Sequence, residues 1–388
     1  MRILFVTGSL VHGGAERHSI TLANRLAERG HDCRAVYVKN DPSQLERLRL
    51  AEGRVRCLHA SRYLDLDAIL SLRTEIVKAR PSVVLAANPY ALLYASIALR
   101  TSGTGAPLAV TYHSTRLQSA KEFAQMLAYR PLFWSADCAV FVCEAQRRHW
   151  RTRQVLGRRN EVIYNGVDTA HWAPLGAPER ERLRGALGFA AQDLVVGISA
   201  VLRPEKNHLQ LVDAVAMLRR RGDIGQMRVR ALMIGDGPMR GAVEERARRL
   251  GVQDAVSITG FQQEVRPFVA ACDAIALTSF TEAFSLAAIE AMAMAKPVVH
   301  SEVGGAAEMI RPGRNGFLFP VGDTRALVER LAALSDRAMC ERMGARARET
   351  VEAQFSERAM VDRYEKLLAE LEIKRTRNEN LRRTAGAH

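Results

Sequence analysis

The 388-residue chain contains no run of about 20 uninterrupted apolar residues, which excludes a membrane-spanning helix. The longest candidate, Pro81 to Leu99, is broken by Asn88, Pro89 and two serines. The N-terminal stretch MRILFVTGSLVHGG carries one basic residue and too short an apolar run for a signal peptide, so it reads as a buried first strand and the protein is expected in the cytoplasm. There is no C-x-x-C spacing among Cys33, Cys57, Cys138, Cys143, Cys272 and Cys340. Buried, reduced thiols are therefore expected rather than zinc or disulfides. The first glycine loop is not G-x-G-x-x-G and no acid closes the second strand, which argues against NAD. Negative charge is also in short supply, with 42 acidic against 56 basic side chains, a net +14.

The chain is 48% hydrophobic, enough to exclude disorder along its length, and long enough for two domains. The positive excess is uneven: residues 1–173 hold 24 basic and 14 acidic side chains, residues 174–355 hold 24 and 22. Such a half points to an anionic partner, whether membrane surface, phosphorylated substrate or nucleic acid.

Short apolar runs alternate with amphipathic stretches. Strands are expected at Ile3–Thr7, Ala35–Val38, Val83–Ala87, Leu108–Tyr112 and Cys138–Val142. After a breaker-rich linker near Pro174 and Pro178, a second series follows at Leu194–Ser199, Val229–Ile234, Ala255–Ile258, Ala274–Leu277, Pro297–His300 and Gly316–Phe319. Runs this continuous argue for parallel sheets covered on both faces. The expected fold class is α/β, with two doubly wound domains, 1–173 and 174–355, across a cleft. The segment from Asp323 to Glu372 reads as helical, and the basic stretch 373–388 as a disordered tail.

Open α/β sheets bind ligands beyond the carboxyl ends of their strands, so the loops there carry the chemistry. In SFTEAFSLAAIEAMAMAKPVV, residues 279–299, a helix is expected to open near Phe284, presenting the amides of Phe284, Ser285 and Leu286 to an anion. Glu282 and Glu290 flank that helix start, as a ribose and a sugar would require, although two glutamates at this spacing are commonly just solvated. In ISAVLRPEKNHLQLV, Arg203 and Lys206 follow a strand and suit a diphosphate, a solvated basic turn being the plainer reading. Gly13 and Gly14 open the first helix where backbone can approach a ligand, and His113 ends another strand, though a lone histidine is more often structural. Gly235, with Asp236-Gly237, Gly260-Phe261 and Gly304-Gly305 read mainly as turns.

Taken together, G-G-A-E-R at 13–17, N-G-V-D at 165–168, R-P-E-K-N at 203–207, E-x7-E at 282–290, K-P-V-V at 296–299, G-G at 304–305 and N-G at 315–316 resemble the retaining glycosyltransferases of the GT-B fold, family 4. The resemblance implies a C-terminal domain for a UDP- or GDP-sugar and an N-terminal domain for the acceptor. It implies that Glu290 holds the ribose, that Glu282, Ala283 and Phe284 face the donor sugar, and that Arg203, Lys206, Ser285 and Leu286 meet the diphosphate. Gly235 and Phe261 would lie at the base, Gly13 and Gly14 would form an acceptor or phosphate loop, and His113 would join Glu282 at the reaction centre. A final helix, Ser356 to Glu372, is similar to the family helix that returns to the N-terminal domain. Val201 stands where the family commonly has arginine, and Ala283 and Ala295 replace frequent glycines.

The expected reaction transfers a glycosyl group to an acceptor hydroxyl with retained configuration, in polysaccharide, lipopolysaccharide or glycolipid synthesis. No cofactor is expected, and no divalent metal requirement either, on the reading that the chain shows no Asp-x-Asp signature. Residues 146–160 carry six arginines, and Arg147, Arg148, Trp150 and Arg151 are expected to dock on an anionic membrane, bringing the enzyme to a sugar or lipid-linked acceptor, unless the helix is merely solvated. The competing readings are a sugar-nucleotide epimerase, separable by product analysis without acceptor, and a basic nucleic-acid-binding protein. The latter is disfavoured because no recognisable nucleic-acid motif is present.

Overall fold

The computed structural model describes residues 1–11, 13–114, 120–221 and 228–385, with backbone alone at 120–122 and 378–385. It separates into two compact units, Met1–Asn165 with Arg358–His388, and Gly166–Glu357. The first contains β1 (Arg2–Thr7), α1 (Gly14–Glu28), β2 (Asp32–Tyr37), β3 (Val55–Cys57), α2 (Leu66–Ala79), β4 (Val83–Ala87), α3 (Asn88–Ser102), β5 (Leu108–Tyr112), α4 (Ala120–Ser135), β6 (Cys138–Phe141), α5 (Glu144–Arg151) and β7 (Arg159–Val162). The second contains α6 (Ala177–Ala186), β8 (Leu194–Ser199), α7 (His208–Arg221), β9 (Val229–Ile234), α8 (Arg240–Leu250), β10 (Val256–Ile258), α9 (Arg266–Ala271), β11 (Ala274–Leu277), α10 (Leu286–Ala293), β12 (Val298–Ser301), α11 (Ala306–Met309), β13 (Gly316–Phe319), α12 (Thr324–Ala333) and α13 (Arg337–Gln354). Helix α14 (Glu357–Ala385) runs on into the first unit.

Both sheets are parallel. Their orders are β3-β2-β1-β4-β5-β6-β7 and β10-β9-β8-β11-β12-β13, so each reverses direction once, between β1 and β4 and between β8 and β11. Each domain is thus a Rossmann-like α/β layer structure.

The continuous apolar strands follow from burial on both faces. In β1 and β4, Leu4, Val6, Val84 and Ala86 pack toward α2 and α3, while Ile3, Phe5, Val83 and Leu85 face the other way. That second face is closed by Leu22 and Leu26 of α1 together with Tyr364, Leu367, Leu368 and Leu371 of α14. At roughly 1.5–3 kcal/mol for each large apolar side chain, the four α14 residues explain why the last helix belongs to the first sheet. Arg29 pairs with Glu365 at 2.5 Å and Asp362 at 2.6 Å on the same seam.

Two expectations need correction. Residues 373–385 continue α14 instead of forming a disordered tail: no glycine or proline occurs between Ser356 and Gly386, and Arg375 donates to the carbonyls of Pro81 (3.1 Å) and Thr104 (2.8 Å). The helix expected to open near Phe284 begins instead at Leu286, because Ser285 caps it, and it ends before Ala295, which turns left-handed at φ 55°. All six cysteines are free and five are buried.

The N-G-V-D turn has a steric role. Val167 donates to the Phe355 carbonyl (3.0 Å) and accepts from Glu357 (2.8 Å), so the chain entering the second unit lies against the chain leaving it. A Cβ at Gly166 would sit 2.6 Å from the Ser356 carbonyl oxygen and 2.8 Å from the Glu357 Cα. Both obstacles are backbone. Gly166→Ala should therefore cost about 1–3 kcal/mol, read as a lower urea midpoint; an unchanged midpoint would show that the two segments separate freely.

Candidate functional site

In the second unit the loops after β8, β9, β10, β11 and β12 all leave the carboxyl edge of one parallel sheet. Strands β8 and β11 are neighbours at the point where the strand order reverses, the position at which such sheets hold ligands. After β8 the chain forms a single 3-10 turn, Pro204–Lys206, and Asn207 adopts φ 51°. The Lys206 ammonium lies 2.5 Å from a Glu282 carboxylate oxygen in the loop after β11. The two residues singled out separately in the sequence are therefore joined.

Their backbones are tied as well. The buried Thr278 hydroxyl reaches the carbonyls of Lys206 (3.0 Å) and Asn207 (2.9 Å), and the Phe280 amide donates to Glu205 (2.9 Å). Arg203 is exposed and has no side-chain partner among the described residues.

The helix start expected to receive an anion lies two residues later than the sequence suggested. Ser285 is the N-cap, and its hydroxyl accepts from the Ala288 amide at 3.3 Å. The first two amides of α10, those of Leu286 and Ala287, are left without an intrahelical acceptor. Phe284 is buried with its ring against Phe355, centroids 5.3 Å apart, so only its backbone is available to a sugar. Ala283 is buried, and Glu290, one turn into α10, is only 5% exposed. That exposure is low for a glutamate that is merely solvated.

Glycines read mainly as turns brace these loops. A Cβ on Gly304, at φ 53°, would collide with the carbonyls of Glu282 and Ala283, and the Gly305 amide donates to Ala283 at 2.8 Å. A Cβ on Gly235 would collide with the Ala200 carbonyl, so loop packing alone already requires this half-buried glycine. Phe261, by contrast, is 69% exposed.

Two histidines beside the ion pair escaped sequence reading. His300 is the penultimate residue of β12 and is buried; burial lowers its pKa, while the Glu282 carboxylate opposes that shift. His208 opens α7, both its ring nitrogens lack partners, and burial followed by the Lys206 charge lowers its pKa to about 4.

In the first unit His113 follows β5, and its amide donates to Asn88 at 3.3 Å. Its Nε2 is buried without a partner, and burial aided by nearby His18 holds its pKa well below the ordinary imidazole value. The ring is therefore neutral at pH 7, able to exchange a hydrogen bond but not to supply charge. His18 lies edge-on to it, with centroids 4.7 Å apart, and meets the Tyr364 hydroxyl of α14 at 3.2 Å. Gly13 and Gly14 stand at the start of α1, but a Cβ on Gly13 would strike the Glu16 carboxylate, which accepts a hydrogen bond from its own amide.

Trp150 is not a membrane residue. It is fully buried, packs 5.0 Å from the Tyr112 ring and donates to the Ser114 carbonyl at 2.8 Å. One turn earlier Gln146 donates to the carbonyls of Tyr112 (2.9 Å) and Ser114 (3.0 Å). Together they hold the backbone on both sides of His113. Their i, i+4 spacing was the available signal, masked by the surrounding arginines. Arg147 pairs with Glu144 at 2.7 Å, while Arg148 and Arg151 are exposed.

Among the described residues no group of three or more His, Cys, Asp or Glu side chains could hold a metal ion. The chain does contain one Asp-x-Asp triplet, Asp65-Leu66-Asp67, but it starts α2: Asp65 caps the Ala68 amide at 3.1 Å and accepts from Ser61 at 3.0 Å. No helix among the described residues is long and apolar enough to cross a membrane.

Two doubly wound domains with a cation, a carboxylate and a helix start at one switch point define a GT-B glycosyltransferase. Residues 12–171 match the Glycosyltransferase Family 4 model and residues 179–350 match Glycosyl transferases group 1, and the chain belongs to this family. It is 28% identical over 364 residues to the lipopolysaccharide core biosynthesis glycosyltransferase LpsE of Rhizobium meliloti, covering 92% of this chain and 96% of that protein. It is 24% identical to N-acetyl-alpha-D-glucosaminyl L-malate synthase of Bacillus anthracis, over 91% and 93% of the two chains. Anabaena HepE in complex with UDP has the same fold, with a TM-score of 0.82 at 24% identity, covering 95% of this chain and all of that one.

The buried imidazoles set a pH dependence. His18 and His208 have pKa values lowered to about 4, mainly by burial, and His300 is lowered too. Below about pH 6.5 the unfolded chain binds protons that these rings refuse, so stability falls with falling pH. The slope should approach roughly 1.4 kcal/mol per pH unit for each ring. Urea midpoints at pH 7, 6 and 5 should decline, and His208→Leu should flatten the decline; parallel profiles for the two proteins would refute the assignment.

Proposed function

We propose that the chain transfers a sugar from a UDP- or GDP-sugar to an acceptor hydroxyl with retained configuration, in the synthesis of a cell-surface polysaccharide, lipopolysaccharide or glycolipid. The observation that carries the reading is the Lys206–Glu282 pair beside the start of α10, at the switch point of the second sheet. An arriving diphosphate competes with Glu282 for the ammonium, is met by the amides of Leu286 and Ala287, and draws in exposed Arg203. Glu282, released from the lysine, turns to hydroxyls of the donor sugar. Glu290 accepts from the ribose, and exposed Phe261 offers a face to the base.

In the reaction the bond between the anomeric carbon and the diphosphate oxygen breaks, its electron pair leaving with the diphosphate. The acceptor oxygen bonds to the same carbon, and its proton passes to the departing phosphate. Positive charge grows on the sugar while negative charge grows on the leaving group, where Lys206 and the fixed amides already stand. Removing one such donor costs roughly 3–4 kcal/mol of barrier in comparable sites. The first unit takes the acceptor, with neutral His113 as hydrogen-bond partner for a sugar or acceptor hydroxyl. Charge on the leaving group is answered by protein groups, and the reading requires no divalent cation.

Lys206→Ala should lower turnover of the preferred UDP- or GDP-sugar by about 10²–10³-fold, and Glu290→Ala should chiefly raise donor KM. Wild-type-like kinetics in both variants would remove the donor-site assignment.

Peripheral docking on an anionic membrane, the second part of the reading, rests on different residues than Trp150. Phe123, Leu127 and Trp134 are exposed along one face of α4, and Trp134 donates to the carbonyl of Gln154, three residues beyond exposed Arg151. Co-sedimentation with phosphatidylglycerol vesicles should be strong for wild type and weak for Phe123→Ser/Trp134→Ala. Equal sedimentation of the two proteins would discard this face.

A further inference from the structure

At the edge of the first sheet opposite His113 lies a cavity of about 550 Å³ that the transfer reaction does not use. Its walls come from the end of α3, the segments that lead into β5, β6 and β7, and one face of α14. Four cations line it, Arg100, Arg158, Lys374 and Arg375, against a single carboxylate, Asp137. That carboxylate is already engaged: it accepts from the Leu108 amide at 3.0 Å and meets Arg158 at 3.4 Å. Arg375 is fixed at the rim by the carbonyls of Pro81 and Thr104. Arg100 and Lys374 have no ion-pair partner among the described residues. Concentrating unpaired cations in one concavity is unfavourable unless an anion joins them.

A second observation points the same way. Ser96 also lines the cavity, is 3% exposed, and its hydroxyl has no hydrogen-bond partner. Buried hydroxyls are ordinarily paired, so one left over at the wall of a cationic pocket is a donor waiting for an acceptor. The volume falls within the range of small-molecule sites, about 300–1,000 Å³. Planar guanidinium forks with an added ammonium match the oxygens of a phosphate better than a lone carboxylate.

We propose that this cavity, at the sheet edge away from His113, is a second anion site that binds a phosphate monoester. The shared chemistry admits two sources, a soluble sugar- or glycerol-type phosphate and the headgroup of a phosphatidic-acid-like lipid. The α14 wall gives such a ligand a direct effect, because it would tie the returning helix to the sheet it covers.

The test is calorimetric titration of the full chain with glycerol 3-phosphate, and flotation with phosphatidic acid vesicles, for wild type, Arg100→Ala/Lys374→Ala and Lys374→Arg. Both altered positions are exposed, so thermal unfolding should not shift without ligand. Saturable binding weakened at least tenfold in the double variant and kept in Lys374→Arg supports the site. Binding of the soluble ester names a free phosphate as the source, and dependence on the pair seen only with vesicles names a headgroup. Equal binding by wild type and double variant, or no saturable binding of either probe, overturns the proposal. Phosphate bound at the donor loops cancels in that comparison, since neither substitution touches them.

Discussion

A lysine and a glutamate 2.5 Å apart, on loops that follow two adjacent parallel strands, are the constraint around which the second domain is organised. Their meeting requires both loops to leave the same sheet edge at the point of order reversal. It requires Thr278 to clamp the 3-10 turn, and glycines at 235 and 304 where any Cβ would push a loop away. Thus residues 70–100 positions apart in sequence act on one ion pair. The pair is also self-limiting. Neither partner is fully buried, as the exchange with an anionic ligand proposed above requires. A pair sealed in the core would resist that exchange, because separating it would strand a charge.

The first domain solves a different problem. A parallel sheet must be covered on both faces, and the helices between its own strands leave part of one face to α14. The chain therefore returns after Ser356, passing Gly166 at a distance that only glycine permits. Tyr364 of that helix reaches His18, which lies edge-on to His113. Covering the sheet and supporting the histidine are consequently one packing event.

What could be read from the sequence divides along physical lines. The central strands were legible because two-sided burial writes an unbroken apolar run, as at Val83–Ala87 and Leu108–Tyr112. Strands β3 and β7, Val55–Cys57 and Arg159–Val162, were not: they lie at sheet edges, are short, and Arg56 and Arg159 carry charge into them. Lys206 and Glu282 were identifiable as polar residues in loops past strand ends, and Glu290 by its place in the helix that follows Glu282. That Lys206 and Glu282 touch was not, since spacing along a chain says nothing about contact between loops. Trp150 was misassigned because its six neighbouring arginines dominate the pattern, whereas its indole answers to a backbone carbonyl that only the fold brings near. The tail was misread for a related reason: a basic composition suggests disorder, but an uninterrupted helical register carries α14 onward.

Both domains begin a helix after a strand at their switch region, yet the two starts differ in charge. At α1 no side chain caps the end, but the Glu16 carboxylate folds back onto its own amide and fills the space beside Gly13. At α10 the cap is Ser285, a neutral hydroxyl that spends itself on Ala288 and leaves the two preceding amides open. An incoming phosphate would meet a negative group at the first, and at the second two open amides together with Lys206, once it displaces Glu282 from the ammonium. This asymmetry supports, on electrostatic grounds independent of ancestry, the proposed placing of the diphosphate in the second domain. By the same proposal, recognition in the first domain falls to neutral hydrogen bonding around His113, while Arg100 and Arg158 from that half line the cationic cavity at the far edge of the sheet.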